Sequence, residues 1–317
     1  MNDDFVRTGE ALRYVTDRLG FSYDTLRPFP KWFLIETINA CNARCVMCGI
    51  DFDQSKAPRR MSKALFEKIA TEIGQHREHV EKVMVYLDGE PLLDNRLPYF
   101  IRLMKNQGVK RVNVATNASL LDAAHATALM EAGLDEIYIT LDSLHGEVYE
   151  SIRVGLKFSI VLENIHRFIA LRQRLKPNLS IRMQMVLQEK NYGEGSDFEA
   201  YWRLRLSAID QIVVQKAHNW GSTVKVLPFG DENRVNRIPC IALWGTFVVH
   251  ADGTVPLCCM DTRSRHPLGD LNEQSIAQLW NGSTLEGYRE RHLRQQRATI
   301  PICDGCTLWR DDKHEIG

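Results

Sequence analysis

The stretch Cys41-Asn42-Ala43-Arg44-Cys45-Val46-Met47-Cys48 places three cysteines within eight residues, with the spacing C-x3-C-x2-C. A mostly apolar run, residues 32–38, leads directly into it and predicts a buried strand. The cysteines are therefore expected on the loop at the carboxyl end of that strand. Thiolates suit zinc and iron–sulfur clusters, and three close thiolates can hold three corners of a [4Fe–4S] cube with one iron left open.

Length and composition are those of an ordinary globular protein. The chain has 317 residues, of which 44% are hydrophobic and 25% charged, and its formal net charge is zero. This balance gives no indication of a DNA partner. The sequence has no apolar stretch of ~18 residues, which predicts no membrane span, and the N-terminus lacks a signal-peptide core. A cytoplasmic protein is expected.

Apolar strand patterns alternate with amphipathic helix patterns from residue 32 to about residue 217, which predicts βαβ units and a parallel sheet in an α/β fold. Strands are predicted at 32–38, 82–87, 111–116, 136–141, 180–187 and 211–216. Helices are predicted at roughly 62–77, 95–107, 121–132, 146–173 and 197–207. A further helix at 11–19 is expected to end before Pro28, in an arm too short to be a binding domain.

The cysteine loop and the segments after the following strands resemble the radical S-adenosylmethionine (radical SAM) superfamily. Gly89-Glu90-Pro91 follows the second strand and is similar to the Gly-Gly-Glu-Pro motif of the family, with Asp88 in place of the first glycine. Met47 stands where the family usually has an aromatic residue. The resemblance implies a partial (β/α)6 barrel with its site at the carboxyl ends of the strands. It also implies that the open iron binds SAM, which is cleaved to a 5′-deoxyadenosyl radical.

The resemblance implies cluster ligation by Cys41, Cys45 and Cys48. Contacts to SAM are expected from residues in the loops and strand ends, namely Met47, Gly89, Glu90, Pro91, Asn117, Asp142, Ser143, Arg153 and Gln184. Arg182 is a further candidate contact. Other interpretations remain open, because Asn117, Asp142 and Ser143 could cap the helices that follow them, and a lone arginine is most often a solvated surface charge.

The other five cysteines lie in the last third of the chain. Cys240, Cys258, Cys303 and Cys306 form the pattern C-x17-C, a gap, then C-x2-C, which suits either a [4Fe–4S] cluster or structural zinc. Ala251-Asp252-Gly253 between two β-rich runs, 246–250 and 254–258, predicts a hairpin. Helices are expected at about 274–281 and 284–296.

Beside a radical SAM barrel, this module resembles the twitch domain, the shortened SPASM form that holds one auxiliary [4Fe–4S] cluster. The resemblance implies that Cys240, Cys258, Cys303 and Cys306 are its ligands. Cys259 is then the spare cysteine. It is interpreted either as a small buried hydrophobe or as a thiol that donates a hydrogen atom.

The expected organisation is an N-terminal arm over residues 1–30, the barrel over 31–220, a linker over 221–239 and the auxiliary-cluster domain over 240–317. The layout is similar to that of the radical SAM aminocyclitol dehydrogenases of the butirosin type. This implies oxidation of a secondary alcohol of a sugar or aminocyclitol, with two [4Fe–4S] clusters, SAM and a flavodoxin- or ferredoxin-type electron donor.

In that reaction the adenosyl radical takes a carbon-bound hydrogen, a base removes the hydroxyl proton, and the auxiliary cluster accepts the remaining electron. Lys216, His218, Arg234 and Arg237 are the candidate bases or substrate clamps. The alternatives are an epimerase in which Cys259 is the hydrogen donor, a peptide-modifying enzyme, and a maturase or electron-transfer partner without catalysis of its own.

Overall fold

The computed structural model describes residues 3–50, 59–221, 224 and 238–308. Its strands are β1 Trp32–Ile35, β2 Ile38–Asn39, β3 Arg44–Cys45, β4 Arg59–Arg60, β5 Lys82–Met84, β6 Arg111–Thr116, β7 Glu136–Thr140, β8 Arg153–Val154, β9 Ser180–Leu187, β10 Gln211–Lys216, β11 Thr246–Val249, β12 Thr254–Pro256 and β13 Pro267–Asp270. Its helices are α1 Asp3–Leu19, α2 Tyr23–Leu26, α3 Lys63–Gln75, α4 Leu97–Asn106, α5 Ala123–Glu131, α6 Gly146–Ile152, α7 Phe158–Leu175, α8 Gly195–Arg203, α9 Ala242–Gly245, α10 Ile276–Trp280 and α11 Ser283–Leu293.

The main sheet is parallel and, in the described part of the chain, contains seven strands in the order β10-β9-β7-β6-β5-β1-β11. Helices cross between successive strands with one apolar face inward. In α3, for example, the Ser62 hydroxyl caps the amino end by accepting from the Leu65 N–H, and Phe66, Ile69 and Ile73 are buried. The predicted α/β barrel is confirmed, and its functional edge is the one at which the strands end.

The predicted hairpin around Asp252-Gly253 forms only next to its turn, where the His250 N–H donates to the Thr254 carbonyl at 2.9 Å. The turn exists, with Gly253 at a positive φ of 96°, but its two arms belong to different sheets. The first arm, β11, lies parallel to β1 as an additional strand of the main sheet, and the second, β12, pairs with β13 in an antiparallel ribbon. The auxiliary module therefore contributes a strand to the barrel sheet.

The single helix predicted over 146–173 is wrong, because the chain breaks into α6 and α7 with β8 between them. Gly155 adopts a positive φ of 97°, and a Cβ there would lie 3.2 Å from the Asn42 carbonyl oxygen. The break lets β8 pair with β3, which is part of the cysteine loop. The same break places the Arg153 side chain next to the cysteine loop.

The N-terminal helix α1 packs against α11 of the C-terminal module and ends at Leu19, well before Pro28. The Trp280 indole of α10 donates to the Leu26 carbonyl at 3.3 Å, so the N-terminal segment and the C-terminal module are in direct contact. Most of the predicted linker, 221–239, lies outside the described residues. No helix in the described ranges is both long and apolar enough to cross a membrane.

Candidate active site

A cavity of about 430 Å³ opens at the carboxyl edge of the sheet. Three of its walls come from the cysteine loop, from the ends of β5 and β6, and from the ends of the last two barrel strands, β9 and β10. The predicted site residues that line it are Cys41, Cys45, Met47, Cys48, Gly89, Glu90, Asn117, Arg153, Gln184 and His218. Parallel strands bring their carboxyl ends to one edge, which explains why residues so far apart in the sequence meet here.

The turn after β5 is pressed against the start of the cysteine loop. Gly89 has a φ of +125°, and a Cβ on it would lie 2.4 Å from the Ala40 carbonyl oxygen. The same carbonyl accepts the Glu90 N–H at 2.8 Å. A glycine is required here by both backbone conformation and space. This contact fixes the position of the start of the cysteine loop relative to the turn after β5.

Replacing Gly89 by alanine is expected to destabilise the fold and to displace the cysteine loop. The left-handed conformation alone costs a substituted residue about 1–3 kcal/mol, and the Ala40 carbonyl must also move. Anaerobic urea unfolding and iron content after reconstitution measure both effects. Gly287→Ala is the matched control, because a Cβ there meets nothing within 4 Å and a mid-helix alanine should stabilise by about 0.5–1 kcal/mol. Equal behaviour of the two variants would contradict the prediction.

The Glu90 carboxylate is buried and joins the ends of β5 and β6. It accepts from the Thr116 hydroxyl at 2.7 Å, the Asn117 N–H at 2.8 Å and the Leu92 N–H at 3.2 Å. Burial raises the pKa of Glu90, while these hydrogen bonds oppose the shift. The carboxylate therefore mainly holds the two strand ends together, and Glu90 also lines the cavity.

Asn117 connects the third barrel strand to the cysteine loop. Its side-chain amide donates to Asn42 Oδ1 at 3.0 Å, and its Oδ1 accepts from the Ser119 N–H and hydroxyl. Asn42 in turn donates to the Ser119 hydroxyl at 2.8 Å. The helix-cap interpretation does not apply, since Asp122 caps α5 by accepting from the His125 N–H.

Arg153 is a buried cation between the sheet and the cysteine loop. Its Nε donates to Asp142 Oδ2 at 2.6 Å, and its Nη1 lies 3.5 Å from the Cys45 sulfur. Burial opposes its charge, but the neighbouring Asp142 and Cys45 raise the pKa of Arg153 overall. The surface-charge interpretation of this arginine is wrong, because only 9% of the residue is exposed.

We expect Arg153→Gln to lower the free energy of unfolding by about 3–5 kcal/mol, because it leaves the fully buried Asp142 carboxylate without its cation. Anaerobic urea denaturation measures this. The exposed pair Lys157–Glu150, at 2.8 Å, provides the control. Lys157→Gln should cost less than about 1 kcal/mol, since an exposed ion pair contributes little. A loss below 1 kcal/mol in both variants would show that the buried pair has no structural importance.

Several predicted contacts do not line the cavity. Asp142 is occupied by Arg153 and by the Val186 N–H at 2.9 Å. Ser143 donates to Glu194 Oε2 at 2.6 Å and is fully buried. Pro91 begins a buried 3-10 turn. Arg182 stacks on Tyr138, 4.8 Å from the ring centroid, and only Tyr138 reaches the cavity.

Of the candidate bases, one lines the cavity and one does not, and the other two cannot be placed. His218 lines the cavity, whereas Lys216 is exposed and does not. Arg234 and Arg237 lie outside the described residues.

Trp220 is a residue that sequence reasoning missed. Its indole donates to the Met47 carbonyl at 2.8 Å and covers Gly49, where a Cβ would lie 2.5 Å from the Trp220 Cγ. It closes the cavity next to the third cysteine. The available signal was a glycine directly after Cys48, together with a tryptophan beyond the last barrel strand. Neither is distinctive on its own.

The C-terminal thiols form a second group. Burial raises the pKa of Cys258 strongly, and the charges of Cys259, Cys303, Cys240 and Cys306 add to that shift. The pKa of Cys303 rises to about 12 for the same reasons. Cys240, Cys303 and Cys306 are all less than 10% exposed. The four predicted ligands therefore converge in one buried region.

Two buried side chains position these thiols. The Cys240 N–H donates to His292 Nδ1 at 3.0 Å, and burial lowers the pKa of His292 to about 3, so the ring is the neutral acceptor that this bond needs. Arg297 donates to the Cys303 carbonyl at 3.1 Å and to the Cys306 carbonyl at 2.9 Å. The C-x2-C loop is thus fixed by a buried guanidinium.

Cys259 lies close to the C-terminal thiols and to Tyr86. Its pKa rises to about 12 through burial and through the charges of Cys240, Cys306 and Asp88. The pKa of Tyr86, which lines the cavity, is raised by burial and in part by Cys259. Cys259 is therefore a protonated thiol behind the Tyr86 wall of the cavity.

Comparison with known families gives two matches. Residues 35–183 match the radical SAM superfamily, and residues 240–307 match SPASM, an iron–sulfur cluster-binding domain. Among curated relatives, a probable GTP 3′,8-cyclase of Methanococcus maripaludis strain C5 is 31% identical over 283 residues, covering 88% of this chain and 85% of the relative. A GTP 3′,8-cyclase of Limosilactobacillus fermentum is 31% identical over 185 residues. This chain spans about half the length of that relative and of other GTP 3′,8-cyclases.

Solved structures show the same fold. A crystal structure of BtrN in complex with AdoMet and 2-DOIA superposes with a TM-score of 0.62 at 17% identity, covering 90% of this chain and 96% of BtrN. A structure of anSMEcpe with bound AdoMet has a TM-score of 0.62 at 14% identity and covers 90% of this chain. Streptococcus suis SuiB bound to precursor peptide SuiA has a TM-score of 0.65 at 14% identity.

The residues present fit the cofactors that these domains imply, which are SAM and one [4Fe–4S] cluster in each domain. Cys41, Cys45 and Cys48 all line the cavity, and three thiolates suit a cluster with one open iron. In the C-terminal group, the charges of Cys240, Cys303 and Cys306 all act on Cys258, so four thiols are available to one further cluster. The cavity beside Cys41, Cys45 and Cys48 has the volume, the mainly apolar lining and the few polar groups that are typical of a small-molecule site. By these matches and by its identity to a relative that it covers almost completely, the chain belongs to the radical SAM superfamily and carries a SPASM-type iron–sulfur domain.

Proposed function

We propose that this radical SAM enzyme is an oxidoreductase that converts a secondary alcohol of a sugar or aminocyclitol to a ketone. The observation that carries the proposal is the second group of thiols, because Cys259 neighbours both that group and Tyr86, which lines the SAM cavity. An electron acceptor near the cavity suits a two-electron oxidation. A flavodoxin- or ferredoxin-type protein would supply the reducing electron.

In this proposal Cys41, Cys45 and Cys48 hold the first cluster, and Cys240, Cys258, Cys303 and Cys306 hold the second. When bound, the first cluster and SAM supply a 5′-deoxyadenosyl radical and the second supplies a one-electron acceptor. Gly89, Glu90 and Asn117 position SAM through the strand-end turns that they form. Gln184 and Arg153 add polar contacts from the opposite side, and Trp220 excludes water beside Met47.

The oxidation removes one hydrogen atom from the carbinol carbon, one proton from its hydroxyl group and one electron. His218 is the proposed proton acceptor, because it is the candidate base that lines the cavity. With both clusters and SAM bound, the carbon-bound hydrogen would go to the 5′-deoxyadenosyl radical, and the auxiliary cluster would serve as acceptor for the remaining electron. The balance is then complete without a further oxidant.

A second candidate is a nucleotide cyclase, favoured by the curated relatives, which are named GTP 3′,8-cyclase. The two candidates differ in net redox change, since a cyclisation leaves no ketone. An epimerase or a peptide-modifying enzyme would also form no ketone. The same assay therefore tests all of them.

The test incubates reconstituted holoenzyme with SAM and dithionite, separately with inositols, aminocyclitols, hexoses, short peptides and GTP. We expect one ketone per 5′-deoxyadenosine with a cyclic polyol, and no consumption of GTP. Conversion of GTP to a cyclised product would replace the proposal with the second candidate. His218→Gln should slow ketone formation while 5′-deoxyadenosine release from SAM alone stays unchanged.

Cys259 separates oxidation from epimerisation. For the proposed oxidation, Cys259→Ala should keep ketone formation within about threefold of wild type, because no thiol hydrogen is needed. Incubation in D2O gives the second readout, since a thiol donor would place deuterium on the substrate carbon. Loss of turnover in the variant together with deuterium incorporation by wild type would identify an epimerase.

A further inference from the structure

Glu36, Asp88 and His250 meet at the carboxyl ends of three neighbouring strands, β1, β5 and β11. The first two belong to the barrel, and the third is the strand that the SPASM domain adds to the sheet. The three side chains are 1–2% exposed. They lie on the same edge of the sheet as the SAM cavity, but none of them lines it.

Their donor atoms are close together. One ligand atom from each residue can be chosen so that all three lie within 4.8 Å of one another, and His250 Nδ1 is 3.7 Å from Glu36 Oε2. Adjacent ligands of a cation with bonds near 2.1 Å lie about 3–3.4 Å apart. Small side-chain movements would therefore close the group around a single ion.

The group also has unmet polar atoms. Both imidazole nitrogens of His250 and Oδ2 of Asp88 are buried without a hydrogen-bond partner among the described residues. Glu36, by contrast, is held in place, since its carboxylate accepts from the Ala251 N–H at 2.8 Å and from the Asn39 side chain at 3.3 Å. Native proteins rarely leave three such atoms unsatisfied in one place, so the group points to an additional ligand.

The charges agree with a cation. Two carboxylates are buried together. Arg59, whose charge acts on Asp88, is itself paired with Asp252 at 2.7 Å. A divalent ion would balance the two buried carboxylate charges.

We propose that Glu36, Asp88 and His250 form a third metal site, which binds one divalent transition cation of the Mn²⁺ or Zn²⁺ type. Two carboxylates and one imidazole suit Mn²⁺, Fe²⁺ and Zn²⁺, whereas the thiolates of the cluster sites are soft ligands. Because its ligands come from both domains, the ion would stabilise the packing of β11, the strand of the SPASM domain, against the barrel. The site does not depend on which substrate the enzyme oxidises.

The experiment uses anaerobic holoenzyme with both clusters in place. Manganese and zinc are measured by mass spectrometry, and iron is counted against sulfide so that any iron beyond the clusters is detected. Mn²⁺ is then titrated and the free ion followed by electron paramagnetic resonance, which does not report on thiol sites that Mn²⁺ disfavours. Thermal unfolding is recorded with and without Mn²⁺.

The variants are Asp88→Asn and His250→Gln. Asp88→Asn removes a buried charge without changing shape, so it should fold. Asp122→Asn and His125→Gln are matched controls, since that His–Asp pair lies at 2.9 Å on the exposed surface. We expect one metal ion per chain in wild type and in the controls, a Tm that rises with Mn²⁺, and affinity at least about tenfold weaker in both site variants.

The proposal is overturned if wild-type holoenzyme holds no manganese, zinc or excess iron and binds no Mn²⁺ at millimolar concentration. It is also overturned if the site variants bind Mn²⁺ as tightly as the controls. In either case His250 shares a proton with the two carboxylates instead, and Asp88→Asn should raise the Tm in the absence of metal.

Discussion

Replacing Cys45 with alanine is expected to lower the rate of 5′-deoxyadenosine formation by at least about a thousandfold, the largest effect of any single substitution considered. Three thiolates bind three irons of the cube and leave the fourth open for SAM. Loss of one thiolate therefore removes a ligand that the cluster needs in order to stay bound. Cys45 is also the cysteine that receives a hydrogen bond from Arg153. The measurement is 5′-deoxyadenosine released after reduction with dithionite.

Cys259→Ala is the matched control, because it removes a partly buried thiol that the proposal does not assign to either cluster. It should retain both clusters and cleave SAM at a rate within about threefold of wild type. If Cys45→Ala still releases 5′-deoxyadenosine at a comparable rate, the assignment of the first cluster to this loop is wrong.

The second large effect is expected for Cys303→Ala. The variant should still cleave SAM, but ketone formation should fall by about a hundredfold or more, because the substrate radical has no electron acceptor. The iron content should decrease by about four per chain. The ratio of ketone to 5′-deoxyadenosine is the decisive quantity, since it separates radical generation from oxidation.

A ratio that stays at wild-type value in Cys303→Ala would show that the second cluster does not accept the substrate's electron. Arg297 gives an independent probe, because it holds the carbonyls of both Cys303 and Cys306 without being a ligand. Arg297→Lys should therefore reproduce a milder form of the same defect, with partial loss of iron.

Local patterns in the sequence predicted most of the barrel. All six predicted strands begin at the residue at which the structure begins them, because each contains a short apolar run bounded by polar residues. The cysteine loop and Gly89-Glu90 were also identified from local residues, since their spacing and positions after strands are themselves the signal. The fold class and the superfamily were confirmed on this basis.

Features that depend on distant pairing were not predictable. An Asp-Gly turn between β-rich runs favours a hairpin, and nothing in residues 246–256 indicates that the first arm prefers the edge of another sheet. The break at Gly155 lies within a helical pattern, and its cause is the approach of the Asn42 carbonyl from the cysteine loop. The position of Trp220 over Gly49 and the proximity of Asp88 to His250 also depend on tertiary packing between residues that are distant in the sequence.

The parallel pairing of β11 with β1 has a consequence for biosynthesis. During translation the barrel strands emerge first, and β1 presents an unpaired edge until residues 246–249 have left the ribosome. An uncovered edge strand is a site for association with other chains, and this one stays open for most of the synthesis time. A chain that lacks residues 246–249 would keep this edge uncovered, and we expect it to aggregate more readily than the full sequence.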